Sequence, residues 1–198
     1  MFDPVNYLVG IDHRASITDQ EVRFLFNVGL TLPLSPLILE IGVYHGRSAC
    51  LLAYLAAIKM GKYVGIDHFD YSAGYSGPKG RNWVDLPFTP GSKEEVEGYL
   101  RERGILSFTC IKEENAVVSV WDNLVDLLHI DADHTSPGMD RITQKYVPYV
   151  KVGGIAAFDD YEPEYVDVIR CADIACNNGS WEDLGSAEGM KCWRKIKK

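Results

Sequence analysis

The chain has 198 residues, 46% hydrophobic and 24% charged, a make-up that fits one folded domain with a sizeable core and excludes an extended disordered chain. A net charge of −8 argues against nucleic acid as the main partner, because binding to a phosphate backbone needs a basic surface that releases counterions. No uninterrupted apolar run of about 18 residues exists, and the opening MFDPVNYLVGIDHRAS lacks the basic-then-apolar layout of a signal peptide, so a cytoplasmic protein with no membrane partner is expected.

Residues 1–16 show little periodicity and read as an extended lead or part of a substrate lid; with the helix that follows they form an N-terminal segment, 1–35. Thr18-Asp-Gln-Glu21 is a capping box opening that helix, which should stop before Pro33. Leu37 to Ile41 reads as a buried strand, Arg47 to Met60 as a helix, and Tyr63 to Asp67 as a second short strand. Residues 68–91 hold glycine, proline and aromatics without period. Such a long loop leaving the end of a strand suits a cap over a substrate.

Ser92 to Glu95 is another capping box, for a helix to about Arg103. Phe108 to Ile111 is expected as a third strand, a short helix should run from Ala116 to about Asn123, and Val125 to Ile130 should be a strand delivering Asp131. Ser136 and Pro137 look like the N-cap and first residue of a helix through Tyr146. Val152 to Gly154 should turn the chain into strand Ile155 to Phe158. Pro163 can open a helix to about Cys176, and Trp181 to Leu184 with Met190 to Ile196 looks like an antiparallel hairpin at the sheet edge. Five cysteines, at 50, 110, 171, 176 and 192, are odd in number and lack CxxC spacing, which suits reduced packing thiols. The expected fold is a single α/β domain over residues 1–198, a Rossmann-like three-layer sandwich whose sheet is mostly parallel and ends in a C-terminal antiparallel hairpin.

Apolar runs that end abruptly in charge mark strand ends where open α/β sheets bind ligands. Two acidic clusters sit at such ends: Asp131, Asp133 and His134, then Asp159 and Asp160. The glycine turn after the first strand is Glu40-x-Gly42-x-x-x-Gly46 rather than GxGxxG, and the acid at Glu40 would repel a pyrophosphate but suit a cationic group. Asp67, ending the next strand, is placed to take two ribose hydroxyls. Together they describe a nucleoside with a positively charged tail.

Across residues 36–161 these features resemble the class I methyltransferases that use S-adenosylmethionine. Glu40-IGVYHG-Arg47 is similar to their first motif, Asp67 to the acid after the second strand, and Glu114-Asn115 to the pair flanking the adenine. HIDADH with KVGGIAAFDDY is similar to a group of metal-dependent O-methyltransferases that includes macrocin and mycinamicin sugar O-methyltransferases and cephalosporin-biosynthesis homologues. The resemblance implies that Asp131, Asp159 and Asp160 hold one divalent cation, Mg2+ or another, and a hard ion does favour several carboxylate oxygens. It implies His134 as the base that takes the acceptor's hydroxyl proton, with Asp131 as its catalytic neighbour.

Tyr44 and Ser48 beside the glycines are candidates to line the cofactor, as is His68, while His45 reads as ligand-lining or structural. Asp133 stays open between a helix cap and a supporting group of the metal site. The acceptor is expected to be a small molecule, such as a sugar, a catechol-like ring or another vicinal oxygen pair, met by Tyr71, Tyr75, Trp83 and Phe88 of the long loop. A homo-oligomer is open. Two alternatives use the same residues: a metal-dependent hydrolase, and a non-catalytic module that binds S-adenosylmethionine.

Overall fold

The computed structural model describes residues 2–11, 17–70, 76–77, 81–82 and 91–197. Its strands are β1 Leu37–Ile41, β2 Lys62–Asp67, the two-residue pair β3 Ser76–Gly77 and β4 Arg81–Asn82, β5 Thr109–Glu113, β6 Val125–Ile130, β7 Val150–Phe158, β8 Trp181–Ala187 and β9 Met190–Lys195. Its α-helices are α1 Pro4–Tyr7, α2 Asp19–Gly29, α3 Arg47–Ile58, α4 Lys93–Glu102, α5 Ser136–Tyr146 and α6 Val166–Cys176.

Seven strands form one sheet in the order β5-β2-β1-β6-β7-β9-β8. The first five are mutually parallel, and β9 runs antiparallel to both β7 and β8. This is the expected Rossmann-like architecture with its C-terminal hairpin. β6 is buried along its whole length because the sheet is covered on both faces. Alternate residues feed two cores: Ile38 and Leu127 join Leu51, Leu52 and Leu55 of α3, whereas Leu39, Ile41, Leu128 and Ile130 join Met139 and Ile142 of α5. The chain moves outward from β1 to β2 on one side and resumes at β6 on the other, so the strand order reverses between β1 and β6. The crevice beyond the C-terminal ends of those strands is where such sheets bind ligands.

Thr18 caps α2 in a complete capping box, its Oγ1 accepting from Glu21 N while Glu21 Oε2 accepts from Thr18 N. Ser92 caps α4 through the Glu95 amide, but the Glu95 carboxylate goes to His45 and Tyr99, so the capping box expected there is a one-way cap. Several local expectations are corrected. The lead is not merely extended, because Asp3 accepts from Val5 N and Pro4 sits in the first turn of α1, a short capped helix. The third strand starts at Thr109, after a 3-10 turn over Leu106–Phe108. Thr135, not Ser136, is the N-cap of α5. Val152 to Gly154 lie inside β7, where its register against β6 shifts, rather than in a turn before it. A turn in which Tyr165 N donates to Glu162 O delays α6 to Val166. The short helix expected after Ala116 is a single turn, its hydrogen bonds running from Val118 N and Ser119 N to Asn115 O.

The substrate loop expected over 68–91 lies, for residues 71–90, outside the described residues apart from the paired backbones of β3 and β4, and Tyr71, Tyr75, Trp83 and Phe88 fall there. All five cysteines are free; Cys50, Cys171, Cys176 and Cys192 are buried as packing residues, whereas Cys110 is exposed. Among the described residues no helix is long and apolar enough to cross a membrane.

Candidate active site

Five parallel strands point their C-terminal ends at one edge of the sheet, and the predicted residues follow from that. After β1 the chain turns through Val43 to His45 and enters α3. Gly42 adopts φ +88°, and a Cβ there would stand 1.7 Å from the Asp131 carbonyl oxygen, so only glycine lets β1 leave the sheet against β6. Gly46, at φ +82°, is the N-cap of α3 and supplies no side-chain cap, which leaves the first helix amides facing the crevice end. Tyr44 takes φ +50° and its ring meets that of His45 edge-on at 4.3 Å. Ser48 is buried in the first turn of α3.

Asp67 holds this turn from the neighbouring strand. Its Oδ2 accepts from Val43 N at 2.7 Å and Tyr44 N at 2.9 Å, and its Oδ1 from Phe69 N at 2.8 Å. The acid that the sequence reading expects to take ribose fixes the backbone of the glycine turn. His68 Nδ1 accepts from Asp70 N. From the other side, α4 braces the turn, with His45 Nδ1 3.2 Å from Glu95 Oε2 and Val96 packed against Gly46.

Glu40 is fully buried in mid-strand, facing the α3 side of the sheet. Its Oε1 lies 2.9 Å from His129 Nδ1, its partner in the β1–β6 register, and its Oε2 accepts from the Tyr63 hydroxyl. Burial opposes a charge on His129, but the Glu40 hydrogen bond and charge outweigh it and raise the imidazole above its usual value. Burial, then Glu40, pushes the Tyr63 phenol well up. A carboxylate has about four acceptor sites, so these partners do not exhaust Glu40. Neither Tyr63 nor His129 was singled out by sequence reasoning. The signal was a polar residue in each of two apolar runs, Glu40 two before Gly42 and His129 two before Asp131.

Glu114 and Asn115 follow β5. Glu114 N donates to Asp67 O, its Oε2 accepts from the Ser119 hydroxyl at 2.6 Å, and Asn115 Oδ1 accepts from Val117 N at 2.9 Å.

On the other side of the switch point, the structure brings Asp131, His134 and Asp160 together. One ligand atom from each lies within 4.8 Å of the others. His134 Nε2 is 3.0 Å from Asp160 Oδ2 and 3.8 Å from Asp131 Oδ1, and its ring packs edge-on against Tyr165 at 4.8 Å. Burial works against a charged His134, yet hydrogen bonds and charge from Asp131 and Asp160 push its pKa up to about 10. Asp160 takes φ +54°, which swings its carboxylate out at the end of β7.

Asp159 is placed differently from its neighbour. It is buried, outside that three-residue group, and burial followed by the charges of Asp131, Glu21 and Asp160 raises its carboxyl well above the usual range. Asp133 turns to α5: its Oδ1 accepts from Thr135 N at 2.9 Å in an Asx turn just ahead of the helix, and its carboxylate lies over Gly138.

The chain matches the methyltransferase domain family over residues 39–161. No curated protein sequence matches it. Among solved structures, cofactor-bound Rv0187 from MTB is 15% identical with a TM-score of 0.66, the alignment covering 98% of this chain and 88% of that one. CalS11, a TDP-rhamnose 3'-O-methyltransferase of calicheamicin biosynthesis, is 19% identical with a TM-score of 0.62, covering 97% and 85%. TomG from Streptomyces achromogenes, an O-methyltransferase of tomaymycin synthesis solved with S-adenosylmethionine, is 15% identical with a TM-score of 0.59, covering 90% and 79%.

Proposed function

The chain belongs to the methyltransferase domain family and is an S-adenosylmethionine-dependent methyltransferase, and we propose that it methylates a hydroxyl of a small molecule with the help of a divalent cation. The observation that carries this reading is the meeting of Asp131, His134 and Asp160 at the end of β6 and β7, one strand away from the glycine turn.

The cofactor half consists of Glu40, Gly42, Tyr44, Gly46, Ser48, Asp67, His68, Glu114 and Asn115. In this reading the turn and the α3 N-terminus receive the amino-acid tail, Asp67 the ribose and Glu114-Asn115 the adenine. The donor set of the other half fits a divalent ion, because the Asp131 and Asp160 carboxylates offer oxygens within 4.8 Å of each other. Asp131 and Asp160 would hold it, with Asp159 behind them. A bound cation, Mg2+ or another, would lower the pKa of the acceptor hydroxyl, orient it, and favour the neutral imidazole by repelling the like charge of an imidazolium.

His134 Nε2, beside both carboxylates, takes the hydroxyl proton. The acceptor oxygen attacks the methyl carbon in line, the carbon–sulfur bond breaks, and S-adenosylhomocysteine leaves. The chain's own contribution is alignment, since Gly42 joins the two halves directly. CalS11 and TomG are O-methyltransferases, and a sugar or other vicinal oxygen pair as acceptor is carried over from that likeness. A single domain over 1–198 working in the cytoplasm belongs to the same reading, as does a homo-oligomer where subunits associate.

The family match leaves the hydrolase alternative unsupported. Calorimetry with S-adenosylhomocysteine, with and without Mg2+ or Mn2+, tests the rest, alongside methyl transfer to a panel of sugars and catechols. Absence of any cofactor affinity overturns the reading; affinity without transfer across the panel turns it into the non-catalytic module.

A further inference from the structure

We propose that Lys145, at the far end of α5 from the acidic cluster, is a positioning residue for the adenine of the cofactor, acting through the turn that follows β5. The inference rests on the placing of Glu114 and Asn115 beside that adenine.

Lys145 Nζ donates to three main-chain carbonyls of one turn: Ala116 O at 2.9 Å, Val117 O at 3.0 Å, and Ser119 O. Its neighbour Tyr146 adds a hydroxyl donor to Ala116 O at 2.7 Å, and the ammonium sits 5.1 Å from the Tyr146 ring centroid. In a continuing helix those carbonyls would accept from the amides of Val120, Trp121 and Asn123. The segment does not continue as one: its valines are β-branched, and Val118 and Val120 are exposed at 77% and 82% while Ala116, Val117 and Trp121 pack against the core. One ammonium therefore replaces three helix hydrogen bonds and stops the turn at a fixed place.

That place is tied to the cofactor half at both ends. Ser119, buried within the clamped turn, donates its hydroxyl to Glu114, and Glu114 N donates to the carbonyl of Asp67, the ribose acid. Asn115 caps the same turn through Val117 N. Lys145 thus holds the backbone on which both adenine-side residues stand. Among the described residues its hydrogen bonds reach neither the glycine turn nor the acidic cluster, so its loss should appear in nucleoside binding alone.

The test compares wild type with Lys145→Met, Lys145→Arg and Tyr146→Phe by calorimetry with S-adenosylhomocysteine and with methylthioadenosine, which lacks the amino-acid tail. Lys145→Met should weaken both ligands by the same factor, about tenfold, since hydrogen bonds from a charged donor are lost. Cation affinity and kcat at saturating cofactor should stay at wild-type values, and Lys145→Arg should recover most of the loss. Tyr146→Phe, which removes only one of two donors on Ala116, should weaken both ligands several-fold, about half the logarithmic effect, and carries the test if Lys145→Met does not fold. Wild-type affinity in Tyr146→Phe and Lys145→Met, or loss of cofactor and cation binding together, overturns the proposal. Failure of wild type itself to bind S-adenosylhomocysteine overturns instead the reading on which it rests.

Discussion

The main chain of Asp131 lies in the space that a side chain on Gly42 would need: a Cβ there would be 1.7 Å from its carbonyl oxygen, and Asp131 N donates to Ile41 O at 2.9 Å. The turn assigned to the cofactor and the strand end assigned to the cation are therefore a single seam. Gly42→Ala cannot be absorbed by a rotamer, since the obstacle is backbone and φ is +88°. It should abolish cofactor and cation binding together. Gly46→Ala, also at positive φ, meets only the Val96 side chain at 3.0 Å and should cost about 1–2 kcal/mol with cation affinity retained. Parallel titrations of S-adenosylhomocysteine and Mn2+ into both variants check the difference; equal behaviour of the two would contradict it.

Asp160 has φ +54°, a conformation that asparagine shares readily and alanine does not. Asp160→Asn keeps the backbone while removing the charge that faces His134 Nε2 at 3.0 Å. Cation affinity should fall by about tenfold or more, whereas the dissociation constant for S-adenosylhomocysteine should hold within about twofold. Asp133→Asn retains the Asx turn to Thr135 N and should leave cation affinity unchanged.

Legibility in the sequence followed the length scale of the interaction. The capping box at Thr18, the cap at Ser92 and the apolar runs of β1, β2 and β6 are local, and the strands and helices they predict stand where expected. Charge at strand ends gave Asp67, Asp131 and Asp160 their common edge of the sheet, because parallel strands leave no other place for it. What stayed hidden was set by partners far along the chain. Glu40 and His129 are 89 residues apart, and their pairing needs the β1–β6 register. The helix expected after Ala116 gave way to the ammonium of Lys145, which no local propensity contains. Asp159 and Asp160 look equivalent as a pair of letters, but Asp160, at φ +54°, joins the cluster while Asp159 lies buried outside it.

The Tyr63–Glu40–His129 trio lies inside the core on the α3 side, each group fully buried. Tyr63→Phe removes one donor to Glu40 and should cost about 1–2 kcal/mol in urea unfolding. His129→Leu leaves Glu40 without its imidazole and should cost about 3 kcal/mol, as for other buried pairs broken from one side. Adding Glu40→Gln to His129→Leu should restore part of that loss, because an unpaired buried charge is then gone. Additive costs across the cycle would show that the two groups do not act as a pair.

Acid should release the brace between α5 and α6. The Arg170 guanidinium donates to both carboxylate oxygens of Asp140, at 3.1 and 3.0 Å, and, with the Cys171 thiol, holds that carboxyl below its ordinary value of 3.8. A folded-state pKa below the unfolded one stabilises the fold at pH above 3.8 and is lost as pH falls through the folded value. Asp140→Asn keeps the shape of the side chain without the charge, so it should be less stable than wild type near neutral pH. The gap between their urea midpoints should close as pH is lowered below 3.8, since wild type then loses what the variant never had. Because Ser136, in the first turn of α5, shares the Arg170 amine at 2.9 Å, the same acid shift should loosen the start of that helix, readable as faster amide exchange there. A gap that stays constant with pH would show that the charge on Asp140 contributes nothing to holding the two helices.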